Sequence, residues 1–240
     1  RWMSAPAYYN NVKAVLSRRF AHAVDEGLVD ANPVTEVVRR AVARRGVVLP
    51  REHYLRVTGE LEDWESRACD LVYLISHRPG DVLRLRDEEP WVRYERRDNG
   101  EYVVVSFTAA KNEQAVEISD HTDTPGGIDE TIHWFRQWKR EQRITSAAVV
   151  CFPAGTRAKD AGRPVSRDYL SRRFAEAVMA AGFEPGRYTL RDLRKTGLTD
   201  EARIAGEATK KGGHKTEAMR QYYVVGSVPQ RVDNNLSVVR

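Results

Sequence analysis

The chain has 240 residues, room for one large domain or one domain with part of another, and its 41% hydrophobic content is enough to bury a core. Only two cysteines, Cys69 and Cys151, are present, which excludes a disulfide framework and fits a reducing compartment such as the cytoplasm. The net charge of +5 is unevenly spread: 8 basic against 4 acidic side chains in residues 1–50, 14 against 20 in 51–150, and 17 against 10 in 151–240. Two basic ends around an acidic middle suggest a polyanion held by particular surfaces. No apolar run is long enough to span a bilayer, and nothing reads as a signal peptide. The first residue is Arg1 rather than Met, which suggests a piece of a longer protein.

In chain order, the first expected element is an amphipathic helix over Tyr8–Glu26, with Val12, Leu16, Phe20 and Ala23 on one stripe and Gly27 as its stop. Asn32-Pro33 signals a turn, and a short helix is predicted around Val34–Val42. The basic run Arg39, Arg40, Arg44 and Arg45 then leads to Gly46 and Pro50, where a domain boundary is placed. So short a segment cannot easily stand alone, so residues 1–47 read as the tail of a helical domain and 48–240 as the main domain.

The main domain opens with helical pattern over Glu52–Gly59 and Trp64–His77. Trp91–Arg96, Tyr102–Phe107 and Ala115–Ser119 read as strands, with Asp98-Asn99-Gly100 a hairpin turn between the first two and Lys111-Asn112-Glu113 at the second turn. Helices follow over Ile128–Arg143, over Ser166–Ala181 with Ser166 as N-cap, over Leu190–Ile204, and in a shorter piece around Glu217–Tyr223. The expected architecture is mostly α with one small antiparallel β-sheet.

Four separated groups carry chemistry. Arg78 sits at a turn between two helices, where a guanidinium can fork onto two phosphate oxygens. Lys111 sits at a strand–strand turn, where it can reach a groove or protonate a leaving oxygen. Arg191 and Arg194 lie three apart on one face of a helix start, with Asp192 suited to its first turn and Leu193 facing the core. Gly212-Gly213-His214 precedes Tyr222 and Tyr223 by eight and nine residues. Each has a plainer explanation when taken singly: a helix cap, a solvated lysine, a surface ion-pair ladder and packing tyrosines.

In this order and at these spacings the groups resemble the catalytic domain of the tyrosine recombinases, the phage integrase family. The Arg78-Pro79-Gly80-Asp81-Val82-Leu83-Arg84-Leu85-Arg86 run resembles the family's first-arginine motif, and Lys111 stands at its hairpin lysine. Arg191-Asp192-Leu193-Arg194 resembles the His-x-x-Arg box, and Gly213-His214 with Tyr223 resembles its Gly-His pair and nucleophile. The stretch Gly27–Pro33 looks like the end of the family's core-binding domain.

The resemblance implies the recombinase breaking-and-rejoining fold preceded by part of a helical DNA-binding domain. It implies Tyr223 as nucleophile, Arg78 and Arg194 opposing charge on the phosphate, His214 as proton acceptor or hydrogen-bond partner, and Lys111 as general acid. Arg39, Arg40, Arg44, Arg45 and Lys215 are the expected DNA contacts. The partner would be double-stranded DNA carrying a specific recombination site, bound by a homotetramer whose protomer is a monomer when alone in solution. No metal, cofactor or membrane is implied, and the setting would be cytoplasmic, in a bacterial or phage-encoded protein. Two departures stand out. Arg191 occupies the position of the box histidine and, always protonated, can donate hydrogen bonds but not act as a base. Thr209-Lys210-Lys211-Gly212 replaces the usual apolar lead into Gly213-His214. A type IB topoisomerase, or a catalytically impaired DNA-binding relative, stays open as an alternative.

Overall fold

A computed structural model of the chain describes residues 5–42, 46–110, 113–155, 160–205, Leu236 and Val238. They fall into two compact units, Arg1–Gly46 and Val47–Arg240.

In the first unit, helix α1 spans Pro6–Asp25, with Pro6 at a position where its missing N–H costs nothing. The predicted short helix over 34–42 does not form. Asn32 Oδ1 accepts the N–H of Val34 at 3.0 Å, and the Asn32 carbonyl accepts that of Thr35 at 3.2 Å, which makes a turn. The Asn10 side chain then clasps the backbone of Arg40, donating to its carbonyl at 2.8 Å and accepting from its N–H at 2.9 Å. These bonds compete with the helical ladder, and a stretch rich in valine has little intrinsic helical preference to oppose them.

The second unit begins with α2 (Arg51–Thr58) and α3 (Asp63–Ile75). The α3 helix opens with a reciprocal capping box between Glu62 and Glu65. Its interior is buried nearly all round, with Ala68, Cys69, Leu71, Val72, Leu74 and Ile75 essentially inaccessible. It is therefore the central post of the domain, packed on by the later helices α5 (Ile128–Glu141) and α7 (Leu190–Ala205). The chain leaves α3 through Ser76 in the left-handed region at φ 54°, then starts the four-residue α4 (Pro79–Val82) with Arg78 as its N-cap.

Strands β1 (Val92–Arg97), β2 (Gly100–Ala109) and β3 (Gln114–His121) form the expected antiparallel meander. Val92 pairs with Val105, and Val105 with Ile118. Period-two alternation turns Val103, Val105 and Phe107 inward, together with Val116 and Ile118. Helix α6 (Arg167–Ala180) begins, as its sequence indicates, with Ser166 Oγ accepting the Tyr169 N–H at 3.2 Å. Leu236 and Val238 return to the same core. The Val238 N–H donates to the Gly126 carbonyl at 3.0 Å, and a Cβ on Gly126 would meet the Val238 backbone.

The contact that positions the site is the approach of α7 to the end of α3. Gly197 faces the last turn of α3, where a Cβ would collide with Ser76 Oγ and the Tyr73 carbonyl oxygen. Tyr73 Oη also donates to Asp200 Oδ2 at 3.1 Å one turn further along α7. Gly197→Ala tests this closeness. Alanine gains up to about 1 kcal/mol of helix propensity, but the steric cost against a buried backbone oxygen is larger. The expected net effect is destabilisation on the order of 2 kcal/mol, read as a lower urea midpoint with unchanged slope.

Candidate active site

Helix α7 is started by a local device. Asp192 Oδ2 accepts both the N–H and the Oγ1–H of Thr189 at 2.8 Å, and Leu193 is fully buried. With Leu193 inside, Arg194 lies buried at 3% exposure, while Arg191, three residues earlier, is exposed. Both line one cleft of about 840 Å³, together with Arg78, Asp81, Arg84 and Arg167. Ala110, the last described residue before Lys111, also lines it. Among the described residues, the lining holds five guanidiniums against two carboxylates, Asp81 and Asp168.

Asp81 organises this surplus of positive charge. Its side chain is only 4% exposed. Oδ1 accepts a 2.6 Å bond from Arg84 and, at 3.3 Å, the backbone N–H of Ala110. Oδ2 lies 3.7 Å from the Arg78 guanidinium, close enough for charge attraction, and 3.3 Å from His77 Nδ1, with a well-directed hydrogen bond to neither. One buried carboxylate thus fixes the turn bearing Arg78, the side chain of Arg84 and the root of the β2–β3 hairpin. Such burial is tolerable because cations surround it.

His77 stands behind the cleft at 1% exposure, its ring edge-on to Phe107 at 4.9 Å. Burial, and then the nearby charge of Arg194, push its pKa down to about 4, with Arg78 adding to the effect and Asp81 opposing it. At neutral pH the ring is uncharged, so it adds no further positive charge behind the two arginines.

Of the residues singled out in the sequence, the structure brings Arg78, Arg191 and Arg194 together. Arg39 and Arg40 lie in the first unit. Arg39 lines a shallow groove there with Lys13 and Arg18, and the Arg40 guanidinium sits 4.1 Å over the Tyr9 ring. Lys111, His214, Lys215, Tyr222, Tyr223, Arg44 and Arg45 lie outside the described residues, as does the expected short helix around Glu217–Tyr223. Three participants were not singled out: His77, Arg84 and Arg167. The first two share the spacing of Asp81, at four residues before and three after, and that regularity is present in the sequence. Arg167 comes from α6, and nothing local ties it to Arg78.

No protein-family model matches the chain, and no curated protein matches it in sequence. Solved structures do match. A lambda integrase dimer bound to a COC′ core site superposes with a TM-score of 0.69 at 20% identity, over 95% of this chain and 62% of that one. Lambda integrase residues 75–356 bound to DNA give 0.66 at 21% identity, over 91% and 74%. The Tn1549 transposon integrase in complex with circular intermediate DNA gives 0.62 at 14%, over 93% and 77%. The chain therefore has the mostly helical fold with a small antiparallel sheet seen in these tyrosine recombinases, and spans less than two thirds of the lambda integrase chain in the dimer.

The depressed His77 pKa has a consequence for stability. Between about 4 and the ordinary 6.5, the unfolded chain binds a proton at this ring and the folded chain does not. Protonation thus favours unfolding: the contribution is complete above 6.5 and is lost as the pH falls toward 4. Urea unfolding at pH 7 and pH 4.5 is expected to show a smaller loss of stability in His77→Gln than in the parent chain.

Proposed function

We propose that the chain breaks and rejoins DNA at a specific site through a 3′-phosphotyrosyl intermediate, as a tyrosine recombinase. The observation that carries this reading is the convergence of Arg78, Arg191 and Arg194 on one cleft beside the root of the β2–β3 hairpin. The likeness of the fold to lambda integrase and the Tn1549 integrase, both solved on DNA, supports it.

A scissile phosphate in the cleft would meet the fixed guanidiniums of Arg78 and Arg194, which oppose the negative charge that grows as phosphorus becomes five-coordinate. Tyr223 supplies the nucleophile. Its Oη–P bond forms as the bond from phosphorus to the 5′-oxygen breaks, and the departing 5′-oxygen takes a proton from Lys111. His214 accepts the phenolic proton or hydrogen-bonds a phosphate oxygen, a help the phenol needs because its ordinary pKa is near 10. Rejoining reverses these steps with a 5′-hydroxyl as nucleophile, so the phosphoryl bond is conserved without ATP. Arg191, exposed on the rim, contributes hydrogen bonds to a phosphate oxygen and no base.

The first unit would extend the DNA contact. Lys13, Arg18 and Arg39 line one groove, with a charge suited to a phosphate backbone. Residues 1–47 are read as the end of a core-binding domain, and Arg40, Arg44, Arg45 and Lys215 as further DNA contacts. Four protomers would assemble on two recombining duplexes; a lambda integrase tetramer has been solved bound to a Holliday junction.

A nicked suicide duplex that loses its 5′-hydroxyl fragment after cleavage tests this reading. The parent chain and Tyr222→Phe are expected to form a covalent protein–DNA adduct resistant to denaturation, and Tyr223→Phe to form none. No adduct with any site-bearing DNA that the chain binds would leave a DNA-binding protein with an impaired site. Relaxation of plasmid DNA without recombinant products would favour the topoisomerase reading.

A further inference from the structure

At the end of α3 away from Arg78, the surface reverses its chemistry. The helix has 13 residues, so this end lies about 20 Å from the cationic cleft. Here Trp64 from α3, Trp134 and Trp138 from α5, and Tyr169 from α6 form a row of nearly parallel rings. Trp134 and Trp138 are 5.9 Å apart at 14°, Trp138 and Trp64 6.3 Å at 23°, and Trp64 and Tyr169 6.0 Å at 18°. A second cleft of about 800 Å³ opens over this row.

The floor and rim of this cleft differ in charge balance. On the floor, buried Glu65 is satisfied by Tyr169 Oη at 2.9 Å and by Arg173 at 2.8 and 3.1 Å. On the rim, Glu62, Asp63 and Glu141 are exposed, and no cation among the described residues pairs with any of them. Glu62 accepts a backbone N–H in its capping box, and Glu141 accepts from Gln137 at 3.0 Å, but neither contact brings positive charge. Among the described residues, four lining carboxylates thus face one lining guanidinium, while Arg67 and Arg172 sit over the two end rings of the row, 5.7 Å from the Trp134 centroid and 5.6 Å from that of Tyr169.

A ring cluster that only sealed the core would need neither an open cleft nor a rim of carboxylates that no described cation pairs with. Aromatic faces attract cations, arginine above all, because its flat guanidinium stacks on a ring while its N–H groups fork onto a carboxylate. The same rim repels nucleic acid. We propose that this cleft is a docking site for an arginine-bearing segment of a protein partner, on a surface separate from the one that faces DNA. The site does not depend on the recombinase reading.

Titrating the chain, without DNA, with hexaarginine, hexalysine and hexaglutamate while following tryptophan emission tests the proposal. Hexaarginine is expected to change the emission saturably and to bind more tightly than hexalysine, with no response to hexaglutamate. The exposed double variant Asp63→Asn/Glu141→Gln is expected to weaken hexaarginine about fivefold. Trp138→Leu is expected to abolish the preference for arginine over lysine. Absence of a saturable response, equal affinity for the two basic peptides, or unchanged affinity in the double variant would each overturn the proposal. The double variant changes only solvent-exposed side chains, so it decides the matter even if Trp138→Leu fails to fold.

Discussion

A single buried carboxylate holds the candidate site together. Asp81 is almost inaccessible, and a carboxylate there is sustainable only because Arg84, Arg78 and the Ala110 N–H surround it. The same contacts tie α4, which carries Asp81, to three pieces of chain outside it: the turn after α3 that bears Arg78, the residues past the end of α4 that include Arg84, and the chain just after β2 at Ala110. Removing the carboxylate would leave the guanidiniums facing one another. The carboxylate is thus a condition for the cationic cleft, though it carries the opposite charge.

The second condition is steric. Arg194 reaches this group only because Gly197, less than one turn further along α7, lets the helix rest against Ser76 and the Tyr73 carbonyl. The thoroughly buried α3 provides the rigid reference for both contacts, and the Asp192–Thr189 bonds set where α7 begins. With the ring of His77 neutral behind them, the two arginines present a positive field whose geometry is set before any ligand arrives. That prearrangement is what gives such donors their effect on a developing charge.

Much of this was legible in the sequence, for identifiable reasons. Periodicity locates the long helices of the second unit because each has a stripe against the core, whereas α1 forms although its expected stripe, with Val12 and Leu16 exposed, is not buried; Asp98-Asn99-Gly100 marks the first hairpin because its residues suit a tight turn. The spacing of Arg191 and Arg194 gives their shared side of α7, although not that one would be buried and the other exposed. The segment at 34–42 misled because its apolar spacing suits a helix, whereas Asn10 and Asn32 capture its backbone from positions that periodicity does not weigh. Arg167 and the ring row of Trp64, Trp138 and Tyr169 were not legible. Their meeting depends on how α3, α5 and α6 pack, and only the four-residue spacing of Trp134 and Trp138 is local.

The two clefts give the domain two opposite chemistries, a cationic one at the junction of α4, α7 and the hairpin and an anionic, aromatic one at the other end of α3. The central claim is that Arg78 and Arg194 act on the negative charge of a phosphodiester. Single-turnover cleavage of DNA whose scissile phosphate is replaced by a neutral methylphosphonate tests it most directly. On the ordinary diester, Arg78→Ala and Arg194→Ala should each lose about 100- to 1000-fold in rate. On the methylphosphonate, with much of that charge removed, the loss should shrink to about tenfold or less. An undiminished loss on the neutral substrate would contradict the account, because the arginines would then be acting on something other than the phosphate's charge.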